Sequence, residues 1–210
     1  MMRVSLLAGL LIALSPLTSL AHDHGRTAAP GGSTSPQADA WSTPARLEKA
    51  QSYFTDLAVI AQDGQERRFF SDILKDKVVL IYLFFTNCDG TCPVINQKIA
   101  GVQDLLGDRI GSDITLISIT TDPARDTPSV VKEYSDHFGP RPGWLFLTGE
   151  PSNIEGIVRR LGHTSSDPRA HSTFLIVGNV AKAKWTKLKP TASEAEIAEA
   201  LRFLADDRKG

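Results

Sequence analysis

Short apolar segments alternate with longer amphipathic segments along most of this 210-residue chain. The apolar segments are rich in β-branched and aromatic residues, which is typical of buried strands, whereas the longer segments repeat their apolar positions with a helical period. Strands are predicted at residues 78–85, 113–119, 144–147 and 173–177, and helices at 94–106, 128–138, 153–161 and 193–204. This alternation favours an α/β fold with a mostly parallel central sheet flanked by helices on both faces.

Additional strands are predicted at the edges of this sheet. Asp63 and Gly64 separate two strand-like segments, 55–61 and 65–70, and a turn of this composition indicates an N-terminal hairpin. Four lysines surround Trp185, and lysines on a strand protect an exposed sheet edge. They are Lys182, Lys184, Lys187 and Lys189.

The only two cysteines of the chain, Cys88 and Cys92, follow the apolar segment 78–85. Both sulfurs are therefore expected at a strand-to-helix turn. If the helix begins near Cys88, residues four apart share a face with Cα atoms about 6 Å apart, which suits a disulfide or two thiolates on one metal ion. A cysteine pair after a central strand of an α/β sheet suggests a thioredoxin-like fold. A structural disulfide stays open as the simpler alternative.

The first residues have the pattern of an export signal, with Arg3 before the apolar segment 4–14 and small residues before position 22. We predict a signal peptide at residues 1–21, a flexible tether at 22–46 and one domain at 47–207. The protein is expected to be exported to the periplasm, either soluble or anchored in the membrane by an uncleaved signal. The net charge of −1 argues against a nucleic-acid partner, and membrane contact is expected only through that signal or a membrane-bound partner.

Histidine positions indicate a metal site in addition to the cysteine pair. His171 stands directly before the predicted strand 173–177, which in a thioredoxin-like layout lies beside the strand that carries the cysteines. Sulfur favours Cu(I), and imidazole together with thiolate suits Cu(II), so this combination points to copper. His137 and His163 are interpreted as surface or hydrogen-bonded residues.

Four sequence blocks occur in the order found in the SCO/SenC family, copper proteins of cytochrome c oxidase assembly. The blocks are FFTNCDGTCP at 84–93, TDPARDTP at 121–128, GWLFLTG at 143–149 and HSTFL at 171–175. The chain resembles this family over the whole predicted domain.

The resemblance implies a thioredoxin-like fold and copper, as Cu(I) and Cu(II), held by Cys88, Cys92 and His171. It further implies that the protein supplies copper to, or prepares, the dicopper centre of cytochrome c oxidase. The implied partners are the copper-bearing subunit of the oxidase and another copper chaperone or a thiol reductant. The family often has aspartate before the histidine, where this chain has Ala170, so a group that orients His171 is expected to be missing.

Two further functions compete with copper delivery. A thiol-disulfide oxidoreductase could use Cys88 and Cys92 on the cysteines of a partner copper protein, although such enzymes usually have two intervening residues and a cis-proline opposite. A peroxidase normally needs a threonine three residues before its cysteine, where this chain has Phe85. A copper chaperone is therefore ranked first, thiol exchange second and peroxide reduction third.

A second copper site is predicted from the residues that would follow the signal peptide. Cleavage after Ala21 would leave His22-Asp23-His24 at the amino terminus. The free amine, two amide nitrogens and the His24 imidazole could then surround one Cu(II) in the square-planar geometry that it prefers.

Overall fold

The computed structural model describes residues 44–207, which form an α/β domain. Its helices are α1 Pro44–Phe54, α2 Thr91–Leu106, α3 Pro128–Asp136, α4 Pro151–Arg160 and α5 Glu194–Asp206. Its strands are β1 Ala58–Ala61, β2 Glu66–Arg68, β3 Val78–Phe84, β4 Ile114–Thr120, β5 Trp144–Thr148, β6 Leu175–Asn179 and β7 Lys184–Leu188. Short helical turns lie at Phe69–Leu74, Gly107–Arg109 and Pro168–Ala170.

The strands form one mixed sheet in the order β2-β1-β5-β4-β3-β6-β7. Only the central strands β3, β4 and β5 pair in parallel, while the remaining pairs, β1 with β2, β1 with β5, β3 with β6 and β6 with β7, are antiparallel. The α/β class is confirmed, but the expectation of a mostly parallel sheet is wrong in this detail. A hairpin at each edge of the sheet accounts for the antiparallel pairs β1–β2 and β6–β7, whereas the pairs β1–β5 and β3–β6 join segments that are distant in the chain.

The central strands are apolar throughout because helices cover both faces of the sheet. All seven residues of β3 are buried. Leu80, Tyr82 and Phe84 belong to the core beneath α2 and α5, whereas Val79 and Ile81 belong to the core beneath α1 and α4. An unbroken apolar segment is the pattern expected for such a doubly covered strand.

Local sequence signals set the helix boundaries. The Thr127 side chain caps α3, which begins with Pro128, and Ser193 with Glu196 forms a capping box at the start of α5. Helix α2 begins at Thr91, so Cys92 lies in its first turn while Cys88 lies in the loop before it. The two sulfurs therefore do not share a helix face. Sharing a face would require a helix that begins near Cys88.

The two edge strands of the sheet lie where the sequence predicts them, but the start of the domain does not. The N-terminal hairpin is formed by β1 and β2, and β7 with Lys184 and Lys187 is the opposite edge strand. Helix α1 was not predicted and begins at Pro44, within the last residues assigned to the tether. The predicted signal peptide and most of the tether lie outside the described residues. Within residues 44–207, no helix is long and apolar enough to cross a membrane.

Candidate metal centre

Strand pairing brings His171 to the cysteine pair. The cysteines follow the carboxyl end of β3, and β6 pairs antiparallel with β3 so that Ile176 lies opposite Ile81. Residues that precede β6 therefore run past the end of β3 and towards the start of α2. This confirms the layout predicted for the two strands, although β6 begins at Leu175, slightly later than expected.

The His171 imidazole is held in one orientation between a backbone carbonyl and a sulfur. Its Nδ1 lies 2.7 Å from the carbonyl oxygen of Pro168, and its Nε2 lies 3.8 Å from the Sγ of Cys92. Because a carbonyl oxygen can only accept, Nδ1 must carry the hydrogen, which leaves the lone pair of a neutral imidazole on Nε2. The nitrogen that faces Cys92 is therefore the one able to bind a metal.

The two cysteines are free thiols in different environments. Burial by itself would raise the pKa of Cys88, but hydrogen bonds from the Cys92 side chain and from the backbone N–H groups of residues 90–92 lower it overall. Burial raises the pKa of Cys92 to about 12, and its hydrogen bond with Cys88 acts in the same direction. Cys88 is half-buried and Cys92 fully buried, so Cys88 is the sulfur that ionises first.

Aromatic side chains keep water away from the buried part of the site. The Phe85 ring packs edge-on against His171 at 5.6 Å between centroids, and the Tyr82 ring lies at 6.5 Å. Burial lowers the pKa of His171, with its hydrogen bond to Pro168 opposing this in part, so the imidazole is neutral near pH 7. Burial also raises the pKa of Tyr82, and the neighbouring Cys92 side chain acts in the same direction.

The donor atoms suit a soft metal ion. First-row metal bonds of about 2.3 Å to sulfur and about 2.0 Å to nitrogen, at an angle of about 120°, separate the two donors by about 3.7 Å. The observed separation of Cys92 and His171 is 3.8 Å. No three His, Cys, Asp or Glu side chains of the described residues converge as a ready-made cluster. Two sulfurs and one imidazole fit copper and do not fit magnesium or calcium, which require oxygen ligands.

A buried carboxylate fixes the start of the cysteine loop. Asp126 is fully buried and accepts hydrogen bonds from the backbone N–H and the hydroxyl of Thr86 and from the hydroxyl of Thr120. It thereby joins the residues after β3 to the end of β4. In the sequence, Asp126 stands out only as a member of the block at 121–128, two residues before the predicted helix 128–138. Its contacts connect residues far apart in the chain, and no local pattern indicates such connections.

The other described histidines and one cavity supply none of the three candidate ligands, although His163 is near enough to His171 to interact with it electrostatically. His137 is exposed, as predicted, but His163 is buried and its Nδ1 has no hydrogen-bond partner among the described residues, so the interpretation as a surface or hydrogen-bonded residue is wrong. The reason is that the chain turns inwards at Gly162, where φ is +100°, and the backbone N–H of His163 caps α4 by donating to the Val158 carbonyl.

A cavity of about 890 Å³ lies between α1 and the β6–β7 edge and includes none of the three candidate ligands. His22 and His24 lie outside the described residues.

An α/β domain with two cysteines after a central strand and a histidine before its antiparallel neighbour defines a thioredoxin-like protein with a thiol–imidazole site. Comparison with known proteins agrees. The sequence profile of the SCO1/SenC family matches residues 46–206. An SCO2-like protein of Rickettsia felis is 36% identical over 159 residues, which cover 70% of this chain and 74% of that protein. This chain therefore belongs to the SCO1/SenC family.

Further relatives match over shorter segments. Protein SenC of Rhodobacter capsulatus is 37% identical over 83 residues, which cover 40% of this chain and 36% of that protein. Among solved structures, Bradyrhizobium japonicum ScoI with copper bound has a TM-score of 0.59 at 23% identity and covers 70% of this chain and 96% of that one. BsSco, described as a member of the Sco family of cytochrome c oxidase assembly proteins, has a TM-score of 0.60 at 22% identity, covering 73% and 93%. These structures confirm the thioredoxin-like fold.

Proposed function

We propose that this protein binds copper through Cys88, Cys92 and His171 and supplies it to, or prepares, the dicopper centre of cytochrome c oxidase. The observation that carries this proposal is the 3.8 Å separation between the Cys92 sulfur and the unprotonated Nε2 of His171. Family membership and the copper-bound relative support copper as the cargo. The relative described as an oxidase assembly protein supports the copper-bearing subunit of the oxidase as the partner.

Loading requires both cysteines in the reduced form. Cys88 provides the first thiolate because its pKa is lowered, and binding a cation there favours ionisation of the buried Cys92 thiol as well. Cys88 and Cys92 hold Cu(I), and His171 adds the nitrogen ligand that Cu(II) needs. Another copper chaperone or a thiol reductant would supply the metal or the reducing equivalents.

Ligand variants test the metal site. Replacing either Cys88 or Cys92 by serine exchanges a soft thiolate for a protonated oxygen and is expected to abolish tight Cu(I) binding. His171→Ala is expected to retain Cu(I) on two sulfurs but to lose the sulfur-to-copper absorption of the Cu(II) form. His137→Ala is the matched control, because His137 is exposed and lies outside the site. An unaltered Cu(II) spectrum in the His171 variant would remove His171 from the ligand set.

The partner is tested in cells. Deletion of the gene is expected to lower cytochrome c oxidase activity, most clearly when copper is scarce, and a copy that lacks both cysteines should not restore it. Oxidase activity that is unchanged under copper limitation would exclude this protein from the assembly pathway.

One observation favours thiol-disulfide exchange as a second candidate function. A half-exposed cysteine with a lowered pKa beside a buried one with a raised pKa is the asymmetry that such exchange uses. The Cys88 thiolate would attack a partner disulfide and release one partner thiolate. Cys92 would then attack the mixed disulfide, so that the partner gains two electrons and Cys88–Cys92 becomes oxidised. Metal-free protein that reduces the oxidase copper-site cysteines stoichiometrically would favour this function.

We further propose that residues 1–21 direct export to the periplasm and that cleavage creates a Cu(II) site at His22 and His24. The proposal is supported by the sequence of the amino terminus and by the nitrogen geometry that Cu(II) prefers. Mass spectrometry of the exported protein should show a chain that begins at His22, and a variant without both cysteines should bind one Cu(II). Inserting one residue before His22 should abolish this binding, and unchanged binding would refute the site.

A further inference from the structure

Thr121 connects the end of β4 to the loop that carries His171. Its hydroxyl oxygen lies 3.1 Å from the carbonyl oxygen of Phe84 and 3.1 Å from that of Pro168. Thr121 is buried, so these contacts are not exchanged for water. The side chain therefore bridges the last residue of β3 and the short helical turn before His171.

The single hydroxyl hydrogen is best placed on Pro168. The Phe84 carbonyl already accepts the backbone N–H of Thr121 at 2.7 Å, whereas the Pro168 carbonyl has no backbone donor among the described residues. Pro168 O instead accepts Nδ1–H of His171 at 2.7 Å. With the Thr121 hydroxyl as second donor, both lone pairs of this oxygen are used, and its direction is fixed.

We propose that Thr121 is a positioning residue for His171. It fixes the Pro168 carbonyl, which in turn holds the imidazole as the Nδ1–H tautomer with Nε2 turned towards Cys92. This inference rests on the proposed function in so far as His171 is a copper ligand. The arrangement performs, through the backbone, the orienting task that a carboxylate next to a ligand histidine commonly performs.

Thr121 is the buried side chain that holds the short helical turn Pro168–Ala170 in place. Ala170, directly before the histidine, has no polar side-chain atom. The polar side chains of the turn itself, Asp167 and Arg169, pair with each other on the surface. Their ion pair holds the outer side of the turn and is exposed to solvent, where such pairs contribute little. Within residues 44–207, the hydrogen bond that joins the Pro168 carbonyl to the end of β4 is the one donated by Thr121.

The test compares Thr121→Val, which keeps the shape but removes the hydroxyl, with Thr121→Ser, which restores it. Thr148→Val is the matched control, because the Thr148 hydroxyl is also buried and donates to a backbone carbonyl, that of Asp126, away from His171. The first readout is the ¹⁵N NMR spectrum of the His171 ring in metal-free, reduced protein. We expect one Nδ1–H tautomer in the wild type, the serine variant and the control, and a mixture of tautomers in Thr121→Val.

The second readout separates the two copper states. Loss of an outer partner of a ligand histidine typically lowers metal affinity by about 10- to 100-fold. Cu(II) affinity should fall by this factor in Thr121→Val, while Cu(I) affinity, which depends on the two sulfurs, stays within about threefold. Urea unfolding of all variants identifies a general loss of stability, which Thr148→Val should share.

Two outcomes would overturn the inference: an unchanged His171 tautomer in Thr121→Val, or an equal change in Thr148→Val. If Thr121→Val does not fold, Thr121→Ala removes the same hydroxyl with less bulk and is judged by the same spectrum. If the wild type binds no copper through His171, the proposed function fails. The metal-free spectrum still decides whether Thr121 positions the imidazole.

Discussion

The two sulfurs differ in chemistry although they lie four positions apart in the chain. Cys88 lies in a loop where the N–H groups of residues 90–92 stabilise a thiolate, as at the start of many helices. Cys92 points into the core beneath α2, where burial disfavours ionisation and raises its pKa to about 12. The sequence alone identifies the pair, but the position of the helix start decides which sulfur is reactive.

Alkylation should therefore distinguish the cysteines in reduced, metal-free protein. Near pH 7.5, iodoacetamide is expected to modify Cys88 and to leave Cys92 unmodified until the protein is unfolded, because only the thiolate reacts. Peptide mass spectrometry over a pH series measures both rates. Cys92→Ala should keep a reaction at Cys88, slowed because the hydrogen bond from Cys92 that lowers the Cys88 pKa is lost, and Cys88→Ala should lose it. A faster reaction at Cys92 would contradict the assigned environments.

At the scale of elements, the buried Asp126 carboxylate joins three parts of the chain that meet beside the site. It contacts the residue pair Thr86 and Thr120 at the ends of β3 and β4, and it lies directly before the cap of α3. Burial raises the pKa of Asp126, and hydrogen bonds from Thr120 and Thr86 offset this only in part. The protonated form is consequently favoured by folding.

This raised pKa gives a signed dependence of stability on pH. A carboxyl group whose folded pKa lies above its unfolded value contributes stability that is present below the unfolded pKa, near 4, and is lost as pH rises through the folded pKa. The free energy of unfolding of the wild type minus that of Asp126→Asn should therefore decrease as pH rises from about 4 and then level off. Urea titrations at several pH values measure this difference. A difference that increases over the same range would show that the folded pKa is lowered.

Several elements follow from sequence patterns and others do not. The segments that became β3, β4, α3 and α5 were predictable because their burial and caps are encoded by neighbouring residues. Helix α1 was not predictable from the sequence. Phe54 is its single buried residue, so its apolar positions do not repeat with a helical period. The antiparallel edges and the burial of His163 depend on how distant segments meet. A pattern of neighbouring residues contains no information about that.

For the whole molecule, the candidate ligands divide into a local pair and one distant residue. Cys88 and Cys92 are four residues apart, so their sulfurs stay close in space even when the chain is unfolded. His171 is 79 residues beyond Cys92 and reaches the sulfur only through the pairing of β6 with β3. A metal ion bound by all three residues is therefore coupled to the folded state, whereas one bound by the two cysteines alone is available to folded and unfolded chains alike.

This division predicts how much Cu(I) stabilises the fold. A ligand that binds only the folded state, at about 100 times its Kd, adds about 2.7 kcal/mol to the free energy of unfolding, and binding to the unfolded chain reduces that gain. Because Cu(I) is held by the two local sulfurs, its gain should stay below this figure and should be the same in the wild type and in His171→Ala. Anaerobic urea titrations at a buffered Cu(I) concentration measure the gain, and His137→Ala, altered at an exposed histidine outside the site, should behave as the wild type. A smaller gain in His171→Ala than in the wild type would contradict this division, because it would mean that His171 contributes to the Cu(I) complex as well.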